Sequence, residues 1–262
     1  MPLLSKYTMK LADSPFWTFA IHDGQHIDPR VLPYQLLKEE DRMREEDPFT
    51  ALIAELPCNR FIMETSRFQL DINRGIEDAI YLRPDQAWGL DVWRKDVPEE
   101  LVNQLRLDHE AIYAIIESNI QQTISKYGYF VILDIHSYNA RREGPEQEIN
   151  TETDPQINIG TLHLNAKWHP LLERLMYELG KEKVNGEPLD IRENIKFKGG
   201  YLSKVINQLF GEYGAVFAIE FRKDFMDEWT GIPVPHHVEA YKQLMMKALT
   251  ILNQYFYYDG KE

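Results

Sequence analysis

The stretch FVILDIHSYNARRE, residues 130–143, joins two patterns that seldom meet. Phe130, Val131, Ile132 and Leu133 form the continuous apolar run of a strand buried on both faces. The run then gives way to Asp134 and His136, which share one side of an extended chain because side chains alternate with period two. Two arginines, Arg141 and Arg142, follow. In an α/β sheet, ligands bind where the carboxyl ends of strands meet. A buried strand that ends in a carboxylate and an imidazole therefore predicts a sheet that carries chemistry at that edge.

Other segments extend the pattern. FWTFAIH (16–22), NRFIMET (59–65), QINIGTLHL (156–164) and GAVFAIEF (214–221) have strand composition, as does the fuller YFVILDIHS (129–137). A long helix is predicted from Pro98 and the glutamates after it to Lys126 and Gly128, with Leu101, Leu105, Ile112, Ile116 and Ile120 on one stripe. HPLLERLMYELG (169–180) and HHVEAYKQLMMKALTILNQYF (236–256) are further amphipathic helices. This alternation predicts an α/β fold: one domain over residues 1–262, with a mixed, mainly parallel central sheet flanked by helices. No repeat, low-complexity tract or linker interrupts it. KEEDRMREED (38–47) is read as a solvated helix end or loop. RREGPEQEINTETDP (141–155), the longest polar insertion, begins where a binding loop is expected.

A chain of 262 residues with 44% hydrophobic residues can bury a sizeable core. Its net charge of −13 argues against a nucleic-acid or anionic-membrane partner, so an anionic ligand needs a local cluster of arginines. The single cysteine, Cys58, and an N-terminal stretch without a signal-peptide core predict a soluble cytoplasmic protein. No apolar run approaches bilayer length.

Three predicted strands end in residues suited to catalysis: His22, His136 and Glu220. Two imidazoles and a carboxylate, with a coordination position left for water, make a hydrolytic zinc site, and Asp134 is suited to orient His136. In TSRFQLDINRG (65–75), Arg67, Asn73 and Arg74 offer the donor fork and amide that grip a carboxylate; a salt-bridged edge strand is the plainer alternative. His163, His169, His236 and His237 are read as polar surface residues.

The ordered set AIHDGQHI, TSRFQLDINRG, LDIHSY, FKGGY and FAIEFR resembles the N-formylglutamate amidohydrolase family, and LDINRG also resembles a signature of aspartoacylases. The resemblance spans residues of about 17 to 222 and implies a zinc-carboxypeptidase-like (phosphorylase/hydrolase-like) fold with one Zn2+ per chain. It makes His22 and His136 zinc ligands and Glu220 the general base. Arg74, Asn73 and Arg67 would hold a substrate carboxylate, and Arg222 would neutralise a carboxylate or an oxyanion. His109, in LDHEAI, falls either in the core or on the pocket wall. The third ligand implied is Asp47, with Glu46, Gln25 and His26 as alternatives and a helix-capping role for Asp47 as another. The sequence departs from the family pattern at Ile72 and at Ala218, where Leu and Gln are usual. The implied activity is hydrolysis of an N-acyl, formyl-type amide of an acidic amino acid. A carboxypeptidase or cell-wall peptide amidase, and a non-catalytic binder of small acids, are the alternatives; oligomeric state is left open.

Overall fold

The computed structural model describes residues 2–184 and 186–258. Its centre is a seven-stranded sheet of β1 (Tyr7–Lys10), β2 (Phe16–Ala20), β3 (Asn59–Met63), β4 (Phe130–Tyr138), β5 (Ile157–Gly160), β8 (Ile191–Glu193) and β9 (Gly214–Arg222). The spatial order is β1-β3-β2-β4-β9-β5-β8, and β6 (Lys183–Val184) pairs with β7 (Glu187–Pro188) apart from it. β3, β2, β4 and β9 run parallel, β1 is an antiparallel edge, and β5 with β8 runs antiparallel to β9. The mixed, mainly parallel α/β sheet expected from the sequence is the one observed.

Two apolar layers cover the sheet. Val131, Leu133 and Ile135 of β4 pack into one layer with α4 (His169–Leu179) and α6 (Pro235–Tyr258). Phe130 and Ile132 point the other way, into a layer with Leu105, Ile112 and Ile116 of α3 (Glu99–Tyr127) and Leu202 of α5 (Tyr201–Phe210). Period-two alternation carries Asp134 and His136 onto this second face. β4 and β9 pair in register from Phe130↔Gly214 to Tyr138↔Arg222, which sets His136 beside Glu220 and Asp134 beside Ala218.

α3 begins with Glu99 and Glu100 in its first turn and ends with Lys126 in its last, each charge suited to the helix dipole. Gly128 closes it at φ +81°, a left-handed conformation that glycine adopts at little cost. α5 and the short edge strands were not anticipated from the sequence. The acidic run is the clearest correction. It forms α1 (Glu39–Glu45), and its end is not solvated: Glu45, Glu46 and Asp47 are all buried. Among the described residues no helix is long and apolar enough to cross a membrane.

Candidate metal centre and cavity

Two loops and two strands converge at the carboxyl edge of the parallel strands. His22 follows β2, Asp47 follows α1, and His136 and Glu220 stand side by side on β4 and β9. The two imidazoles face each other through Nδ1, at 3.2 Å. Asp47 Oδ2 lies 3.4 Å from each Nδ1. A tetrahedral ion with arms of ~2.0–2.1 Å has edges of about 3.3–3.4 Å, so this triangle matches one face of such a coordination shell.

The outer ring nitrogens fix which atoms face inward. His22 Nε2 donates to Asp71 Oδ1 at 2.8 Å, and His136 Nε2 lies 3.0 Å from Asp134 Oδ2. The Asp71 carboxylate accepts the Nε2 proton of His22, and the Asp134 carboxylate stands close enough to His136 Nε2 to favour a proton there, so that both Nδ1 atoms, 3.2 Å apart, can turn a lone pair inward. Asp47 Oδ2 joins them, buried and without a hydrogen-bond donor. Three inward-facing lone pairs in a dry site call for a cation, and the residues fit a divalent metal. Among the described residues this is the one His/Cys/Asp/Glu group with that geometry.

Without a metal, the electrostatics express the same demand for positive charge, met by a proton on an imidazole. Burial pushes the Asp47 carboxyl upward, yet the two imidazoles outweigh it and hold the group well below its usual range. Burial lowers His136, and the carboxylates of Asp134 and Asp47 overcome this and raise it well above an ordinary histidine. Burial raises Glu220 to about 7, with the histidines pulling the other way.

Asp71 is the residue that the sequence reading passed over. Its Oδ1 accepts from His22 Nε2 and from the Asn73 N–H at 2.8 Å, and its Oδ2 accepts from Arg67 Nη2 at 2.8 Å and from the Tyr81 hydroxyl. One buried carboxylate therefore ties a candidate ligand to the segment that carries Asn73 and Arg74. The signal was present in LDINRG, where Asp71 precedes Asn73 by two.

A cavity of about 480 Å³ opens over this centre, lined by His22, Asp47, His136 and Glu220 together with Arg67, Asn73, Arg74 and Arg142. Arg67 is committed to Asp71 and Arg142 to both oxygens of Glu45. Arg74, Lys198 and Lys204 are exposed cavity residues with no carboxylate partner among the described residues. Asn73 Oδ1 accepts from the Leu202 N–H at the start of α5, so its amide nitrogen is the end left for a ligand. Gly200 permits this closeness: a Cβ there would meet Asn73 Oδ1 at 2.3 Å. Gly160 does likewise, since its Cβ would lie 2.4 Å from the Gly199 nitrogen. Trp88, at φ +54°, stands at the rim with the Arg67 guanidinium 5.0 Å from its ring.

Other sequence expectations fall elsewhere. Arg222 does not line the cavity; its guanidinium is held by Asp224 and by the Asp154 carbonyl. The next residue, Lys223, lines it instead. His109 is buried behind the wall, stacked on Tyr113 and bonded through Nε2 to the Arg74 carbonyl, so it supports that loop rather than facing the cavity. Gln25 opens on a different hollow, His26 bridges to Thr65, and the Glu46 carboxyl accepts from Ser66. The Asp47 side chain does not cap α2 (Thr50–Ile53), the helix after it; Asp23 Oδ1 accepts the Ala51 N–H there.

Fold and site together define an α/β protein built around a buried, metal-competent pair of histidines and a carboxylate. The model of the N-formylglutamate amidohydrolase family matches residues 14–226, most of the chain, and the chain belongs to that family. The fold is similar to that of an N-formylglutamate amidohydrolase from Ralstonia eutropha JMP134, with a TM-score of 0.70 at 14% identity over 95% of this chain and 98% of that one. It is also similar to the gene product Atu2144 from Agrobacterium tumefaciens, with a TM-score of 0.63 at 17% identity over 94% and 96%. A metallo-carboxypeptidase from Burkholderia cenocepacia gives a TM-score of 0.38 at 13% identity over 92% and 57%. No curated protein matches the chain in sequence.

Proposed function

We propose that this protein is a zinc-dependent amidohydrolase that removes a formyl-type N-acyl group from an acidic amino acid. The observation that carries the reading is the triangle of His22 Nδ1, His136 Nδ1 and Asp47 Oδ2 beside the Glu220 carboxyl, inside a cavity walled by unpaired cations. Family membership supports amide hydrolysis. The nitrogen and oxygen donor set is the one zinc takes in hydrolases.

His22, His136 and Asp47 would hold the ion, which when bound supplies Lewis acidity towards an amide carbonyl and makes water a better acid. Glu220, with a pKa of about 7, is suited to accept a proton from the attacking water on a carboxylate oxygen. The same oxygen then returns that proton to the departing nitrogen, completing general base and general acid roles in one group. Asp71 and Asp134 keep the imidazoles oriented and their Nδ1 atoms free.

Arg74 and the Asn73 amide nitrogen would grip one substrate carboxylate, and Arg67 stiffens their loop through Asp71. Lys198 and Lys204 border the same cavity and suit a second carboxylate, which favours an acidic amino acid as the leaving portion. A volume of about 480 Å³ suits a small molecule better than a cell-wall peptide. Arg222, bound to Asp224, has no part in this scheme. A cytoplasmic setting for a small-molecule hydrolase agrees with the buried, unpaired Cys58.

Elemental analysis of tag-free protein, with His136→Ala and Asp47→Ala alongside, tests the metal. The expected result is about one zinc per chain, lost in both variants. Hydrolysis of N-formyl-, N-acetyl- and N-succinyl-glutamate, compared with short peptides, tests the substrate; a preference for peptides would overturn the assignment.

A further inference from the structure

Asp47 lies on a loop, yet a ligand atom must hold its position to a fraction of an ångström to complete a metal site. The three residues before it show how that is achieved. The Arg44 carbonyl accepts from Lys223 Nζ at 2.7 Å and from Asn139 Nδ2 at 2.9 Å. The Glu45 carbonyl accepts from Arg67 Nη1 at 3.3 Å. The Glu46 carbonyl accepts from Lys223 Nζ at 2.8 Å. These three carbonyls leave the C-terminal end of α1, where backbone oxygens have no helical partner and the dipole favours a cation.

The donors come from beyond the ends of three strands of the parallel part of the sheet: Arg67 beyond β3, Asn139 beyond β4 and Lys223 beyond β9. Lys223 is the centre of the set. It is 1% exposed and touches two of the three carbonyls, while its own N–H extends the β4–β9 ladder by donating to the Tyr138 carbonyl. No carboxylate lies within ion-pair distance of its ammonium among the described residues. Such a cation is costly to bury, and here two carbonyl oxygens compensate it.

We propose that Lys223 is a positioning residue: it fastens the Arg44–Glu46 backbone to the end of β9, and so sets Asp47 at the same height as His136 and Glu220. The strand that carries Glu220 thereby also locates the only candidate ligand that is neither on a strand nor next to one. This role rests on the metal-site reading for its purpose, but the clamp itself does not depend on a metal.

The test is hydrogen exchange by mass spectrometry on metal-free protein, comparing wild type with Lys223→Met and Asn139→Ala. Lys223→Met should raise exchange at least tenfold in residues 46–50, including the Asp47 N–H that donates to the His22 carbonyl, with residues 131–135 of β4 unchanged. Asn139→Ala should give a smaller rise in the same segment, and it alone decides the matter if Lys223→Met does not fold. Zinc affinity by chelator competition should fall about 10–100-fold in Lys223→Met. Exchange in 46–50 within twofold of wild type, or an equal rise across β4, would overturn the clamp. Wild-type protein that takes up no zinc would sink the metal reading instead, and the exchange result would still stand on its own.

Discussion

Replacing Asp71 with asparagine removes one charge and reverses one end of a four-donor site. The native carboxylate accepts at Oδ1 from His22 and the Asn73 N–H, and at Oδ2 from Arg67 and Tyr81. An amide has one accepting end. If its oxygen keeps His22 and Asn73, its NH2 points at the Arg67 guanidinium, donor against donor; the Tyr81 hydroxyl can rotate to accept. Arg67, its side chain only 10% exposed, then loses its sole carboxylate while keeping 3.2 Å and 3.3 Å contacts to the Tyr81 oxygen and the Glu45 carbonyl. Breaking a buried pair costs about 3–5 kcal/mol, and the two surviving contacts favour the lower end, about 3 kcal/mol. For a chain of this size that is a fall in Tm of about 6 °C. Urea unfolding of metal-free Asp71→Asn, Arg67→Met and the double variant measures it. Because the two side chains touch, the double variant should lose clearly less than the sum of the single losses. A loss below about 1 kcal/mol in Asp71→Asn, or strict additivity, would refute the view of Asp71 as the joint between His22 and the Arg67 loop.

Three further outcomes are expected. Glu220→Gln should retain zinc but lose about 10²–10⁴-fold in kcat, measured by product release; retention of more than a tenth of the activity argues for a different base. Arg74→Met should raise KM with kcat nearly unchanged and shift stability by less than about 0.5 kcal/mol, because Arg74 is exposed and has no ion-pair partner among the described residues; an unchanged KM removes it from the binding site. In metal-free protein, burial raises Glu46 and Glu220 to about 7 and Asp23 to about 6, while carboxylates raise His136. The native state therefore holds more protons than the unfolded chain between about pH 5 and 7. Stability should rise as pH falls through that range, by ~1 kcal/mol or more per pH unit, read from urea midpoints; a midpoint that climbs from pH 6 to pH 8 contradicts it.

The sheet was legible because its buried strands are chemically uniform. The apolar runs at Phe130–Leu133 and in GAVFAIEF mark two central strands, and the register in which they pair in the structure sets His136 beside Glu220. α3 was legible for a related reason, since its stripe and its closing Gly128 agree on where it stops. What could not be read was the behaviour of polar residues whose partners lie far along the chain. KEEDRMREED has the composition of a solvated surface, and donors distant in sequence, Arg67, Asn139 and Lys223 among them, turn its last residues inward. Arg222 and Lys223 are both basic and adjacent; the strand's pleat puts Arg222 on the face of Glu220, and only its bonds to Asp224 and the Asp154 carbonyl keep it out of the cavity that Lys223 lines. Asp71 was hidden in plain composition because a carboxylate's role depends on what it accepts from, and its donors are up to 49 residues away.

Three unpaired cations, Arg74, Lys198 and Lys204, sit in the mouth of a body whose net charge is −13. An approaching anion thus meets repulsion at long range and attraction only near the opening. At 0.01 M salt the screening length is about 30 Å, so the charge of the whole body dominates the approach. At 0.15 M it falls to about 8 Å, so the distant acids fade while the nearby cations still act. Capture of an acidic substrate should therefore speed up as salt rises from 0.01 M to 0.15 M, and slow again only towards 1 M, where a screening length of about 3 Å silences the mouth as well. Moderate ionic strength is, for this molecule, what makes its entrance visible to its substrate.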